Sequence, residues 1–355
     1  MIKRLGSGLA VIAAAMMLTS CGGSGGSDNE AAPAEVSSRK DRIKVVYIPK
    51  NTGNPYFDEI VRGFEDAAKK YDYDFVTTGP AKATATSQLS YIKAQIQKKV
   101  DVIAISPNSE DALDMVFKQA RQKGIKVFIV NSDIKDPANR DLAILPIDFD
   151  KVGEQQLDML GSMIDYKGDF AILSATTDAP DQNAWIKGMK SQLESNDKFK
   201  NMKLVDVVYG DDDNQKSATE TTALLTRYPE LRGLIAPTAV GLPAAAQAVK
   251  LAGAYPGGAN AKGDGLVVTG LATPSLMRAY VKEGVVDKFS LWTPYDEGVI
   301  AGYLAVQSVK EGLELKGSTE VDVPELGKRS LNENRVLIAA DPVVFHKGNI
   351  DDFTF

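Results

Sequence analysis

The 355-residue sequence contains one cysteine and one histidine. A structural zinc site needs four such ligands, so a metal cage of this kind is excluded, and little material is left for Cys/His or Ser/His/Asp catalysis. A basic excess is also missing, because 41 Lys and Arg stand against 47 Asp and Glu, for a formal net charge of −6. Nucleic-acid binding needs a basic surface that displaces counterions. We therefore expect no metal, no cofactor and no nucleic-acid partner, and the composition favours a binding protein over an enzyme.

The remaining proportions are those of a folded protein. Hydrophobic residues make up 44% of the chain and charged residues 25%, which excludes a disordered, collagen-like or small disulfide-linked protein. The length predicts about two domains at ~100–200 residues each.

The first twenty residues have the pattern of a secretory signal peptide. Two basic residues precede an apolar run at residues 9–18, which is shorter than the ~20 residues that span a bilayer. The run ends in LTSC at residues 18–21, which resembles the bacterial lipobox, where the cysteine is lipidated. We predict that residues 1–20 are removed and that Cys21 anchors the protein to a membrane outside the cytoplasm, in the periplasm or on the cell surface. The alternative is a plain signal peptide with a cysteine there by chance.

A polar segment follows the cysteine. Residues 22–38, GGSGGSDNEAAPAEVSS, have the composition of a flexible linker. We assign residues 21–41 to a lipidated tether, although a merely disordered N-terminus has the same composition. The folded body is expected to begin near Arg42.

From Lys44 onwards, short apolar runs alternate with stretches of helical periodicity. KVVYIP at residues 44–49 lacks polar alternation, which is typical of a parallel strand covered on both sides. Phe57, Ile60 and Phe64 have the three- to four-residue spacing of a helix with one buried face. This alternation continues to residue 270 and predicts βαβ units. The predicted fold class is α/β, with two doubly wound parallel-sheet lobes joined by several crossing strands.

The expected lobes are discontinuous in sequence. We assign residues 42–148 and 294–334 to the N-terminal lobe, and residues 149–293 and 335–355 to the C-terminal lobe. Ligands of open α/β sheets bind beyond the carboxyl ends of the strands, and a cleft between two lobes is a common small-molecule site. The candidate residues are therefore those that directly follow each predicted strand.

Three candidates come from the first lobe. Lys50 follows an apolar strand and needs water or a partner, so we expect it to face a ligand rather than to be an ordinary surface lysine. Phe57 could lie against a sugar ring or belong only to the core face of its helix. Asn131 could contact hydroxyl groups or simply initiate a turn.

Further candidates come from the second lobe. Asp181 and Gln182 open a helix, where they could bind a polyol or cap the helix N-terminus. The small-residue loop APTAVG at residues 236–241 could bring backbone groups close to a ligand or only allow tight packing. Trp185 and Trp292 are the two tryptophans of the chain, and both fall at expected cleft positions, with core packing as the alternative.

Two observations bear on the competing functions. Asp181 and Asp296 could form the paired carboxylates of a secreted hydrolase, although the required separation cannot be read from sequence. His346 is expected to be a solvated surface residue rather than a catalytic one.

Several motifs carry a family resemblance. The lipobox, KVVYIPKNTGNPYF (residues 44–57) and AISP (residues 104–107) resemble the sugar-binding lipoproteins of ABC importers, which have the type I, ribose-type periplasmic-binding-protein fold. The resemblance covers residues 44–355. It is strongest to the rhamnose-binding and autoinducer-2-binding subgroup, through KGDFAILSATT (167–177), DQNAW (181–185), YGDD (209–212), APTAVG (236–241) and LWTP (291–294).

The resemblance implies roles for individual residues. By analogy with the family, ligand hydroxyls are bound by Lys50, Asp181 and Gln182, backbone contacts come from Pro237 and Ala239, and the ring is flanked by Phe57 and Trp292. Where the family has a Trp-Asp pair, this chain has Val130 and Asn131, so the residue at the end of that strand has lost a charge and gained a donor.

The resemblance also implies a mechanism and partners. It predicts a monomer that closes around a small sugar, rhamnose-like, or around autoinducer 2, and that docks on an ABC permease and ATPase complex. APTAVG favours the rhamnose branch, whereas Asp181 and Gln182 favour autoinducer 2. A sensory protein that presents its ligand to a membrane receptor remains an alternative.

Overall fold

The computed structural model describes residues 42–355; the predicted signal peptide, Cys21 and the tether lie outside the described residues. The strands are β1 (Lys44–Ile48), β2 (Asp74–Thr77), β3 (Val102–Ile105), β4 (Lys126–Val130), β5 (Leu142–Leu145), β6 (Lys167–Ser174), β7 (Asn201–Tyr209), β8 (Gly233–Ala236), β9 (Val267–Gly270), β10 (Lys288–Leu291), β11 (Glu320–Val323), β12 (Gly327–Ser330), β13 (Val336–Ile338) and β14 (Val343–His346). The helices are α1 (Pro55–Tyr71), α2 (Ala85–Lys98), α3 (Asp114–Gln122), α4 (Phe149–Met163), α5 (Pro180–Ser195), α6 (Asn214–Arg227), α7 (Gly241–Ala252), α8 (Pro274–Lys282) and α9 (Pro294–Val309).

The first lobe is built on a six-stranded sheet in the order β13-β5-β4-β3-β1-β2, with every pairing parallel. Neighbouring residues of β1 enter different cores: Val45 and Tyr47 pack with α1, whereas Val46 and Ile48 pack with α2 and α3. Successive side chains of a strand point to opposite faces of the sheet. Because helices cover both faces, the strand needs no polar alternation, which explains its continuous apolar sequence.

The second lobe has a parallel sheet in the order β7-β6-β8-β9. A parallel bridge between Leu271 and Ser290 brings β10 beside the end of β9, and β14 pairs with β10 in the antiparallel sense. The predicted α/β fold class, with two lobes built on parallel sheets, is confirmed.

The described chain passes between the lobes three times, after β5, after β10 and after β13. One sequence-based assignment differs from the structure. Residues 335–355 were assigned entirely to the C-terminal lobe, yet Val336–Ile338 pairs with β5 in the first sheet, and the lobe changes only between β13 and β14. A three-residue edge strand has too little pattern to indicate which sheet it joins.

Helices α1 and α9 pack closely in the first lobe through two glycines. A β-carbon at Gly63 would lie 2.1 Å from the carbonyl oxygen of Tyr295, and one at Gly298 would lie 2.1 Å from the carbonyl oxygen of Ile60. These atoms belong to backbone, which cannot rotate aside. The contact therefore requires glycine on both helices, and it fixes the first turn of α9 relative to α1.

We expect Gly63→Ala to destabilise the protein by about 1–3 kcal/mol, the usual cost of overpacking, measured as a lower free energy of unfolding in urea. The matched control is Gly188→Ala in α5, where the added β-carbon would lie 3.5 Å from Gly153, an ordinary contact. Since alanine has the higher helix propensity by ~1 kcal/mol, the control should be as stable as the parent or more stable. Equal stability of the two variants would contradict the proposed close contact.

Candidate functional site

Lys50 lies between the lobes. The residue is 2% exposed, and its ammonium group forms an ion pair with Oδ1 of Asp181. The Asn108 amide donates to the Lys50 carbonyl oxygen at 2.9 Å, which fixes the backbone after β1. Lys50 is therefore not an ordinary surface lysine: its charge is paired with a carboxylate of the opposite lobe.

Asn131 contacts the same carboxylate. Its Nδ2 donates to Oδ2 of Asp181 at 3.0 Å. Its φ of 71° lies in the left-handed region, which asparagine enters more readily than most residues. The turn interpretation and the site interpretation of Asn131 thus hold together, since the turn after β4 is what aims the amide across the cleft.

Asp181 and Gln182 lie in the first turn of α5. The N-cap of this helix is Ala179, which provides no side-chain cap, so Asp181 is not the capping residue. Instead, both of its carboxylate oxygens accept hydrogen bonds from the first lobe. The Gln182 Nε2 donates to the carbonyl oxygen of Pro237 at 3.2 Å, and this bond fixes the loop between β8 and α7.

An aromatic wall faces these polar groups. The Trp292 indole Nε1 donates to the Tyr56 hydroxyl at 2.6 Å, and that hydroxyl donates to Oε1 of Glu297 at 2.6 Å. The Trp185 and Trp292 rings meet edge to face, with centroids 5.9 Å apart. Phe57 is 4% exposed and belongs both to the core and to this wall. Each ring is therefore held by a neighbour.

All eight predicted site residues line one cavity between the lobes. They are Lys50, Phe57, Asn131, Asp181, Gln182, Pro237, Ala239 and Trp292. The structure thus brings together residues that are up to 242 positions apart in sequence, and their role as ligand contacts stays a prediction.

The same cavity is lined by seven residues that were not predicted as ligand contacts: Asn54, Tyr56, Trp185, Asp212, Thr238, Leu271 and Leu291. Asp212 accepts a hydrogen bond from the Thr238 hydroxyl at 2.5 Å, and burial raises the pKa of its carboxyl group. Its position directly after β7, in the YGDD motif, is the signal that could have identified it. Tyr56 lies four residues before Ile60, on the buried face of α1, so its spacing indicates a core residue and gives no separate sign of a cavity contact.

Glu297 lies behind the aromatic wall and is fully buried. Burial raises the pKa of its carboxyl group well above the usual range, although the hydrogen bond from Tyr56 opposes this shift. Its second oxygen, Oε2, has no hydrogen-bond partner among the described residues. A neutral carboxyl group here can hold the Tyr56 hydroxyl, and through it the Trp292 indole, without a buried charge.

Other candidates lie away from the cavity. Asp296 is not among its lining residues, whereas Asp181 is, so the paired carboxylates of the hydrolase alternative do not face one another there. His346 is exposed at the end of β14. Within residues 42–355, no three His, Cys, Asp or Glu side chains are grouped to hold a metal ion. No helix in this part of the chain is both long and apolar enough to cross a membrane.

Comparison with known families identifies the class. Residues 45–314 match the model of the periplasmic binding protein domain, and the chain therefore belongs to the periplasmic binding protein family. A sugar ABC transporter structure from Actinomyces odontolyticus is 35% identical, over 88% of this chain and 98% of that one, with a TM-score of 0.69. An ABC transporter solute-binding protein from Clostridium phytofermentas with bound L-rhamnose is 28% identical, with the same coverage and a TM-score of 0.82.

Curated relatives point the same way. The D-ribose/D-allose-binding protein of Pseudomonas aeruginosa is 29% identical over 230 residues, which are 60% of this chain and 68% of that protein. The xylose/arabinose-binding protein XylF of Sulfolobus acidocaldarius is 32% identical over 91 residues, 26% of this chain, so the match spans 23% of its length. These findings confirm the family resemblance read from the motifs.

The buried Glu297 generates a prediction about pH. Because its pKa is raised in the folded protein, the folded state holds a proton that the unfolded chain releases above the ordinary value of 4.5, and the free energy of unfolding falls as pH rises. Glu297→Gln mimics the neutral acid and keeps an acceptor for Tyr56. We therefore expect the variant to gain stability relative to the parent as pH rises from about 4.5 to about 8.

Urea unfolding at a series of pH values measures this difference. Asp296→Asn serves as the matched control on the neighbouring residue, which is only partly buried; it should show a weaker dependence. A stability difference between Glu297→Gln and the parent that is constant over this pH range would contradict the prediction.

Proposed function

We propose that the protein is the sugar-binding component of an ABC importer and that it binds a small neutral monosaccharide in the cavity between its lobes. The observation that carries the proposal is the meeting of Asp181, from the second lobe, with Lys50 and Asn131, from the first, at the wall of this cavity. A ligand held beside these groups contacts both lobes at once. Its binding energy therefore favours the closed arrangement.

The charges of the cavity favour an uncharged ligand. The Lys50 ammonium is already paired with Asp181, so no unpaired cation faces the cavity from its lining residues to hold a carboxylate or phosphate. Asp212 adds a further acid whose pKa is raised by burial. Hydroxyl groups can both donate to these carboxylates and accept from the amides.

The lining suits a single sugar ring, because hydrogen-bonding side chains and aromatic rings line the same cavity. Micromolar affinity corresponds to about −8 kcal/mol. Several hydrogen bonds at about 0.5–1.5 kcal/mol each, with ring contacts of similar size for each aromatic residue, reach this order before the entropy of association is counted. Non-covalent contacts are therefore sufficient for binding by hinge closure, and no covalent bond to the ligand is needed.

Within this class we propose a rhamnose-like sugar first and autoinducer 2 second. The 28% identical structure with bound L-rhamnose supports the first. The apolar side chains of Leu271, Leu291 and Trp292 lie in the same cavity and suit the methyl edge of a 6-deoxy sugar. The structure of LsrB from Clostridium saccharobutylicum in complex with AI-2 shares the fold at 22% identity and a TM-score of 0.80.

The proposed setting follows from the N-terminal motifs. We propose a monomer outside the cytoplasm that is anchored by a lipid on Cys21. Residues 22–41 would be the linker between this anchor and the folded part of the protein. The closed form would deliver its sugar to an ABC permease and ATPase complex. Similar solved structures of sugar ABC transporter proteins support the role in an importer, whereas the lipid anchor rests on the LTSC motif alone.

We expect Lys50→Ala and Asp181→Asn each to weaken binding of L-rhamnose by about tenfold or more, or ~1.4 kcal/mol, because the first removes the ammonium group and the second removes the carboxylate charge with which it is paired. Isothermal titration calorimetry on the purified folded part of the protein, residues 42–355, measures the affinity. The same titration with D-ribose, D-arabinose and autoinducer 2 ranks the ligands.

Matched surface variants control for the loss of charge. Lys187→Ala and Asp178→Asn lie on or beside α5, are exposed and do not line the cavity, so both should bind as the parent does. Unchanged affinity in Lys50→Ala and Asp181→Asn would remove the proposed site. Failure of the parent to bind any sugar of the panel, or conversion of a sugar to product, would overturn the proposed function.

We expect Cys21→Ser to release the protein from membranes, because serine lacks the thiol that accepts the lipid. Fractionation of a bacterial expression host measures the share of protein that sediments with membranes. Ser20→Ala, which keeps a small residue before the cysteine, should remain in the membrane fraction. Membrane retention of a Cys21→Ser protein from which residues 1–20 have been removed, as checked by its mass, would contradict the lipid anchor and leave the sugar-binding proposal untouched.

A further inference from the structure

The two tryptophans of the cavity use their indole N–H groups differently. Trp292 donates to the Tyr56 hydroxyl at 2.6 Å. Trp185 is 2% exposed, and its Nε1 is buried with no hydrogen-bond partner among the described residues. An unpaired buried donor costs free energy that a suitable acceptor would recover. The Trp185 N–H is therefore the available donor of the aromatic wall.

An unpaired acceptor lies one helical turn away. Gln182 is 6% exposed, and its Nε2 is engaged by the Pro237 carbonyl oxygen, which leaves Oε1 buried and without a partner. Residues three apart on a helix share a face, and Gln182 and Trp185 both line the cavity. The first turns of α5 thus supply one unpaired donor and one unpaired acceptor from residues that line the same cavity.

We propose that Trp185 Nε1 and Gln182 Oε1 together bind one hydroxyl group of the ligand, which accepts from the indole and donates to the amide. This inference rests on the proposed sugar-binding function and adds a specificity-determining residue, Trp185, to it. A hydroxyl group is both donor and acceptor, whereas an ether oxygen, a carboxylate or a methyl group satisfies at most one of the two partners.

The surroundings of Trp185 keep the pair in place. Its ring meets Phe149 edge to face at 5.3 Å between centroids and Trp292 at 5.9 Å. Because the indole is packed against two rings, turning its N–H away when the ligand lacks the hydroxyl would disrupt both contacts. A site built to hydrogen-bond a hydroxyl group discriminates strongly against the analogue without it.

The test begins with a thermal-shift screen of the protein against L-rhamnose, D-fucose, D-ribose, D-arabinose and D-xylose. The sugar that stabilises the protein most, and each of its monodeoxy analogues, are then titrated calorimetrically into the parent, Trp185→Phe and Trp292→Phe. Phenylalanine keeps an aromatic ring and removes the N–H. Trp292→Phe is the matched control, because its N–H is already bonded within the protein.

We expect Trp185→Phe to bind the parent sugar about tenfold more weakly. For one monodeoxy analogue, the one that lacks the hydroxyl bound by Trp185, the same substitution should change the affinity by less than about threefold. Trp292→Phe should lower the affinity for the unmodified sugar and for each of its deoxy analogues by the same factor. Combining the substitution with the removal of one hydroxyl group forms a double-mutant cycle, which assigns the N–H to that hydroxyl group. A general disturbance of the site would instead lower the affinity for all analogues alike.

Three results would overturn the proposal. If Trp185→Phe lowers the affinity for the sugar and for every deoxy analogue by the same factor, or leaves all of these affinities unchanged, then Trp185 does not recognise a single hydroxyl group. The sugar-binding function would stand in either case. If the parent binds no sugar of the panel, the function fails and this inference with it. If Trp185→Phe does not fold, the indole N–H resonances of the ¹⁵N-labelled parent protein provide the test. The Trp292→Phe variant assigns the resonance of Trp185. If this indole proton does not move downfield when the sugar binds, the proposal is overturned.

Discussion

The site depends on one carboxylate, that of Asp181, held by Lys50 and Asn131 of the opposite lobe. Removing two charges from water is costly, and their attraction repays that cost only when the remaining polar atoms are also bonded. Here both oxygens of the carboxylate are bonded, one by the ammonium and one by the amide. The carboxylate therefore links the second lobe to two elements of the first at one point of the cavity wall.

The topology explains how distant residues reach this carboxylate. The loops after β1 and β4 and the first turn of α5 all lie beyond the carboxyl ends of parallel strands, where open α/β sheets bind ligands. The chain passes from β10 to α9 through Trp292, and the glycine contact between α1 and α9 fixes Glu297 beside Tyr56. The aromatic wall is thus positioned by helix packing, and the polar wall by strand ends.

The sequence was sufficient to predict the strands, the two lobes and the positions of the eight candidate residues, because buried parallel strands and the turns after them have strong local patterns. It was not sufficient where partners are distant. The sequence around Asp181 is compatible both with a helix cap and with an ion pair to Lys50, so it does not distinguish the two roles. Trp185 gave no sign that its N–H is free while that of Trp292 is bonded. Helix α8, the β11–β12 hairpin and the sheet joined by β13 have short or weak patterns that only tertiary contacts resolve.

The asparagine at position 131, where the resembling family has an aspartate, follows from the same carboxylate. An aspartate there would place a second carboxylate at about the 3.0 Å that now separates Nδ2 from Oδ2 of Asp181, and like charges at such a distance cannot both remain ionised without a ligand or a proton between them. Asn131 replaces that repulsion with a hydrogen bond. Lys50 is the basic side chain among the lining residues of the cavity, and its charge is paired with Asp181. An amide at position 131 leaves that pair balanced, because it adds no further charge beside the Asp181 carboxylate.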